Sequence, residues 1–330
     1  MSNFDRLRQF ETLAHFSDEQ VFLLADHFSQ VSYPDDTVVL RAGDSSRDVY
    51  LVDHGDVEIR RNTPYGLYTL AKVPIGDFFG ETSFIDQNVR SGDAVAVRGV
   101  SLFPLGYAEL QQLLEREQRL SLALHWAFWK SLSKKLRQTN ERLARFFSKS
   151  SPYQPPDLAA KPQTGEFYVG LDVKRDLFRE QKLSNMEINF LASLSKEKRL
   201  APGEVLFHEG EEGDRMYIVL EGKIMISKEI TGAGEEALAF LERGDYFGEM
   251  ALIDREPRSA QAKAHDNGAV VLGISREVLE GLLDIQKVSS LRLLRLLCQM
   301  IAKRLREVDE KLVGWFIFSA GSGSSLGVPG

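Results

Sequence analysis

The chain has 330 residues, 43% of them hydrophobic and 27% charged, with a formal net charge of −7. That length exceeds one ordinary core and suits two domains of about 100–150 residues each, and an acidic chain of globular composition is not a general coat for nucleic acid. A single cysteine, Cys298, excludes an internal disulfide and a cysteine-built metal site.

In chain order, residues 1–10 lack the apolar stretch of a signal peptide. A helix is expected over residues 18–28, followed by short β-branched runs at Val38-Val39-Leu40, 49–52 and 57–59 with Gly/Asp turns between them. Residues 122–147 show apolar side chains at three- and four-residue spacing and predict a long helix. The Ser/Pro cluster of residues 148–156 ends it and marks a linker. The order then repeats: a helix over 185–194, strands at 205–207, 216–220 and 223–226, and a long helix over 290–312. Residues 321–330 are Gly/Ser-rich and read as a disordered tail. No apolar run, Phe316-Ile317-Phe318 included, approaches the about 18 residues of a membrane span. The expectation is a cytoplasmic chain with no membrane partner.

The second half copies the first. Gly76-Asp77-Phe78-Phe79-Gly80-Glu81 returns as Gly244-Asp245-Tyr246-Phe247-Gly248-Glu249 after 168 residues. Tyr50-Leu51-Val52 with Gly55 returns as Tyr217-Ile218-Val219 with Gly222 after 167, and Lys135-Leu136-Arg137 as Arg304-Leu305-Arg306 after 169. A nearly constant shift over a domain length is a duplication, and a solenoid would need shorter and more numerous units. The expected fold class is mainly β with α: two jelly-roll-like β-roll domains, each flanked by helices and ending in a long C-terminal helix. The expected boundaries are 1–147, a linker at 148–170, 171–315 and a tail at 316–330. Apolar stripes on both long helices leave homodimerisation open.

The segment that carries chemistry is Phe247-Gly248-Glu249-Met250-Ala251-Leu252-Ile253-Asp254-Arg255-Glu256-Pro257-Arg258-Ser259-Ala260. A glycine admits close approach of backbone to a ligand, a helix starting near Glu249 would aim free N–H groups at an anion, and Arg258 offers a forked, charge-assisted contact. Glu249 would repel an anion and makes sense as an acceptor for a hydroxyl. The segment resembles the phosphate-binding cassette of the cyclic-nucleotide-binding family, which includes the catabolite activator and the regulatory subunits of cyclic-AMP-dependent protein kinase. The glycine-punctuated run from Pro202 to Gly222 resembles the same family, and the likeness covers most of residues 15–315.

The resemblance implies that Glu249 takes the ribose 2′-OH, Arg258 the phosphate with the backbones of Gly248 and Ala251, and that Met250 and Ser259 belong to the same ligand site. The first copy keeps Gly80, Glu81 and Arg90, with Ser91 after the arginine, but carries Ser83-Phe84 for Ala251-Leu252 and Val89 for Pro257. It is either a second binding site or a degenerate copy. Aligning the final helices puts Thr139-Asn140 of copy one and Val308-Asp309 of copy two where the catabolite activator contacts adenine; solvated polar residues are the plainer alternative for all of them. Ser259 favours cyclic AMP over cyclic GMP by the same resemblance.

Competing readings are weaker. The six histidines show no metal spacing, and His208 and His265 stand alone. Trp126, Phe128 and Trp129 in helical register read as core before they read as a base-stacking platform. No cofactor is implied, and no general base is placed to attack a phosphodiester, so an enzyme is not expected. The residues after Gly314 cannot hold a helix-turn-helix, so no DNA partner is expected. The expected function is a cyclic-nucleotide sensor acting on a separate, unidentified effector protein. A cyclic-dinucleotide receptor and a scaffold with vestigial pockets are the alternatives.

Overall fold

A computed structural model describes residues 2–147, 167–230, 234–283 and 290–321. The chain opens with α1 (Asn3–Leu7), a short 3-10 turn and α2 (Asp18–His27). Ser17 starts α2 through a capping box with Gln20, which satisfies amides that the first turn leaves open. The strands β1 (Val31–Tyr33), β2 (Val38–Leu40), β3 (Val49–Thr63), β4 (Gly66–Val73), β5 (Phe78–Phe79) and β6 (Asp93–Leu105) follow, with α3 (Glu81–Asp86) between the last two. They form one antiparallel sheet in the order β1-β6-β3-β4, with β2 also on β6 and β5 on β3. The helices α4 (Tyr107–Arg116) and α5 (Gln118–Phe147) close the repeat.

The second repeat has the same order: α6 (Leu171–Glu180), α7 (Asn185–Leu194), β7 (Lys196–Leu200), β8 (Val205–Phe207), β9 (Arg215–Ile230), β10 (Gly234–Leu241), β11 (Tyr246–Phe247), α8 (Met250–Asp254), β12 (Gln261–Ser275), α9 (Arg276–Leu282) and α10 (Leu291–Gly321). Its sheet runs β10-β9-β12-β7, with β8 on β12 and β11 on β9. Ser184 caps α7 through a box with Glu187, as Ser17 caps α2. Register repeats as well: Tyr50 faces Phe79 and Tyr217 faces Phe247, each pair stacked at 5.0 and 5.4 Å between ring centroids. The fold class is as the sequence implies.

Each barrel is filled by inward residues of alternating period, Val52, Val57, Ala96 and Leu102 in one and Val219, Ile224, Ala264 and Val271 in the other. Two strand expectations merge into one in each repeat. Residues 49–52 and 57–59 lie on the continuous β3, and 216–220 with 223–226 on β9. The glycines expected as breaks, Gly55 and Gly222, are bends within the strand at φ 77° and 75°, where the ladder to the neighbouring strand shifts register but continues.

Packing divides the chain differently from the repeat. Among the described residues, one compact unit lies within 1–135 and 301–330, the other within 136–300. Both long helices are cut: α5 gives its last turns to the second unit, and α10 gives its C-terminal part to the first. The tail expected over 316–330 is corrected in its first part, because α10 continues to Gly321. Phe316 is buried with its ring 4.8 Å from that of Tyr68, extending the apolar face of Leu312 and Val313 at helical spacing. Residues 322–330, and the linker over 148–166, lie outside the described residues.

Candidate functional site

In the second repeat the cassette is built on β11, α8 and the loop that returns to β12. Gly248 turns the chain with φ 75°, and Glu249 occupies the N-cap position of α8. A Cβ on Gly248 would lie 2.6 Å from Arg258 Nη1, so the glycine is required by the close approach of that guanidinium. Arg258 is 5% exposed. Its Nη1 donates to the Gly248 carbonyl at 2.6 Å and its Nη2 to the Arg215 carbonyl at 2.7 Å. The guanidinium stacks over Phe207 at 4.2 Å from the ring centroid. Its Nε is buried and has no hydrogen-bond partner among the described residues. Burial pulls the Arg258 pKa below the ordinary arginine value, opposed by Tyr217, Glu249, Asp214 and Glu211.

Gly213 packs against this group. A Cβ there would meet the Ala251 Cβ at 2.4 Å and Arg258 Cζ at 3.0 Å. Arg276 Nη2 ties the same loop to α8, donating to the carbonyls of Gly213 at 2.9 Å and Ala251 at 3.2 Å. Glu249, Met250 and Ala251 are buried beside it. The Ser259 hydroxyl lies 3.8 Å from Met250 Sδ. The structure therefore brings Gly248, Glu249, Met250, Ala251, Arg258 and Ser259 into one cassette, with a fixed cation whose remaining donors suit an anion.

The first cassette has the same skeleton. Gly80 has φ 83°, Arg90 is 4% exposed, and its Nη1 and Nη2 donate to the carbonyls of Gly80 at 2.9 Å and Asp48 at 2.7 Å. Here Arg90 Nε also donates to Ser46 Oγ at 3.2 Å. Burial depresses the Arg90 pKa as it does that of Arg258. Glu81 is fully buried, and its Oε1 accepts from Lys135 Nζ and, at 3.0 Å, from Ser131 Oγ.

The helix residues expected to read the base change places. Arg137 on α5 donates to Asp254 Oδ2 at 2.8 and 3.0 Å and to the Pro257 carbonyl at 2.8 Å, at the tip of the second cassette. Thr139 and Asn140, buried on the next turn, belong to the same compact unit. Arg306 on α10 donates to both oxygens of Asp86 and, at 3.2 Å, to Ser83 Oγ of the first cassette. Asp309, one turn on, lies in that unit. Thr139 and Asn140 therefore accompany Glu249 and Arg258, and Asp309 accompanies Glu81 and Arg90, the reverse of the pairing read from repeat position. The cause is that each long helix runs past its own barrel.

Sequence reasoning missed Phe207, Gly213, Arg276, Arg137 and Arg306. The two helix arginines carried a signal, since they match each other after 169 residues, but their acidic partners are far away in sequence. Phe128 and Trp129 are fully buried, with Phe128 edge-on to Phe78 at 5.3 Å, as the core reading required, while Trp126 is only partly buried. Among the described residues no group of His, Cys, Asp or Glu could hold a metal ion, and no helix is long and apolar enough to cross a membrane.

The cyclic nucleotide-binding domain profile matches residues 30–117 and 197–286. The cGMP-dependent protein kinase egl-4 of Caenorhabditis elegans is 22% identical over 274 residues, 83% of this chain and 29% of the kinase. The cAMP-dependent protein kinase regulatory subunit of Dictyostelium discoideum is 25% identical over 252 residues, 75% of this chain and 63% of the subunit. Both relatives are thus spanned over less than two thirds of their length. Among solved structures, the regulatory domain of Toxoplasma gondii PKA co-crystallised with cAMP is 19% identical, covering 86% of this chain and 92% of that one with a TM-score of 0.32. Both matched segments fall on the barrels and their cassettes, and the chain belongs to the cyclic nucleotide-binding domain family, once in each repeat.

Proposed function

We propose that the protein is a cyclic-nucleotide sensor, with cyclic AMP the favoured ligand, that signals to a separate effector protein. The observation that carries this is Arg258: a buried cation held by two backbone carbonyls, with its Nε unpartnered among the described residues. A buried unmet donor costs about 1–3 kcal/mol, which a phosphate oxygen would relieve. Glu249 supplies the ribose acceptor beside it. Thr139 and Asn140 stand on the helix whose Arg137 holds the cassette tip, and both side chains can donate to and accept from an adenine edge.

Ligand binding would act by shifting an existing equilibrium of the α5 end through Asp254. Glu249 and Arg258 are binding groups in this reading, and no catalytic step is assigned to them. The named relatives include both cAMP- and cGMP-dependent proteins, so the preference for cyclic AMP rests on Ser259 and Asn140.

A thermal-shift titration of the whole chain with cyclic AMP, cyclic GMP and cyclic dinucleotides tests it. Ligand at 100 times its dissociation constant adds about 2.7 kcal/mol to the folded state, and Arg258→Leu should abolish that gain. A saturable shift with a cyclic dinucleotide alone would replace the ligand. No shift with any of them, in protein freed of co-purified ligand, would leave a scaffold with vestigial pockets.

A further inference from the structure

We infer that nucleotide binding is confined to the second repeat, and that Ser46 and Ser83 make the first pocket a self-filled copy. This rests on the sensor reading above but makes a separate claim, because the sequence keeps Glu81 and Arg90 and by itself would allow two sites.

The two arginines differ in one bond. Both spend Nη1 and Nη2 on backbone carbonyls. Arg90 Nε is also satisfied, by the Ser46 hydroxyl at 3.2 Å, whereas Arg258 Nε is not satisfied among the described residues. The position equivalent to Ser46 is Gly213, which has no side chain to offer and no room for one, since even a Cβ would meet Ala251 at 2.4 Å. Each guanidinium keeps a second N–H on Nη1 and on Nη2, so the difference between the pockets is the Nε–H, which is open to a phosphate in pocket two and already used in pocket one.

A second serine of pocket one is engaged as well. Ser83 Oγ, which stands where Ala251 lines the other cassette, receives Arg306 Nη2 at 3.2 Å and itself donates to the Val89 carbonyl at 3.3 Å. Arg306 also holds Asp86, but Arg137 holds Asp254 in the same way, so that clasp does not distinguish the pockets. Glu81 Oε1 is shared by Lys135 and Ser131 while its Oε2 has no hydrogen-bond partner among the described residues, so this carboxylate does not distinguish the pockets. The aromatic platform is missing too: Phe207, under the Arg258 guanidinium, is replaced at the matching position by Leu40. Each group that must be broken from a protein partner before it meets ligand weakens binding by roughly 5- to 150-fold. Together they place pocket one about 100-fold or more behind pocket two.

Isothermal titration of the whole chain with cyclic AMP, and in parallel with cyclic GMP, should give about one nucleotide per chain. Hydrogen–deuterium exchange at saturation should then show protection in residues 248–260 and none in 80–91, a readout that needs no variant. The double variant Ser46→Gly, Ser83→Ala, which installs the residues of pocket two, should raise the stoichiometry towards two. Two sites in the unmodified chain, protection of residues 80–91, or a double variant that stays at one would each overturn the inference while leaving the sensor reading intact. The absence of both heat and protection with either nucleotide would overturn the sensor reading and this inference with it.

Discussion

Gly55 and Gly222 show what single residues contribute. A Cβ on either would sit 2.3 and 2.1 Å from the carbonyl oxygens of Gly99 and Gly268, and both glycines have positive φ. Replacing Gly222 by Ala combines a backbone clash with a strained left-handed conformation, and urea denaturation should report a loss of more than about 1–3 kcal/mol. Gly203, with the same sign of φ (76°) but nothing within 4 Å of its added Cβ, should lose only about 1–2 kcal/mol as Ala, from backbone strain alone. The positions of Gly55 and Gly222 and the Glu249/Arg258 pair were legible in the sequence, because each recurs at a fixed shift and the cassette is a long motif, but the place of these glycines inside a continuous strand was not. Gly213 and Phe207 were not. Their importance comes from touching Arg258 across tens of residues of chain, and one glycine or one phenylalanine leaves no pattern of its own.

Elements respond to pH through His15. Its ring Nε2 lies 3.0 Å from the carbonyl of Ala123 on α5 and so donates to it when neutral. Burial holds the His15 pKa below 6.5, with Lys130 adding to the effect and the Ala123 bond opposing it. The unfolded chain therefore binds the proton more readily than the folded one, so this contribution is intact above about pH 6.5 and is lost as pH falls below that value. Melting temperature measured between pH 7.5 and 5.5 should fall for the unmodified chain and fall less steeply for His15→Gln. The helices α2, α5, α7 and α10 and the strands β2, β3, β8 and β9 were legible in the sequence from periodicity and β-branched runs, whereas others, β6 and β12 among them, were not read. The misread boundaries have physical causes. A glycine inside a β-bulge looks like a break when only its neighbours in sequence are seen, and the last turns of α10 are helical because Phe316 finds Tyr68, a contact that local propensity does not contain.

For the whole molecule, repeat and compact unit are different divisions. The duplication was plain in the sequence; the allocation of α5 and α10 was not, since it depends on Asp86 and Asp254 meeting arginines 220 and 117 residues away. Deleting residues 301–330 should therefore loosen the first barrel rather than the second, seen as faster amide exchange in β3 and β6 with β9 and β12 little changed. Substituting Arg137 by Ala should act on the second pocket, weakening cyclic AMP binding by roughly 3- to 10-fold if the tip contact to Asp254 and Pro257 holds the ligand-bound form.

The clasp of Arg306 on Asp86 also sets a timetable for synthesis. A ribosome adding about 5–20 residues per second needs on the order of 10–45 s to travel the 220 residues between them. Throughout that interval the first barrel exists without its final helix, with the cassette tip at Asp86 and the ring of Tyr68 uncovered. The N-terminal unit, first to emerge, is the last to be finished.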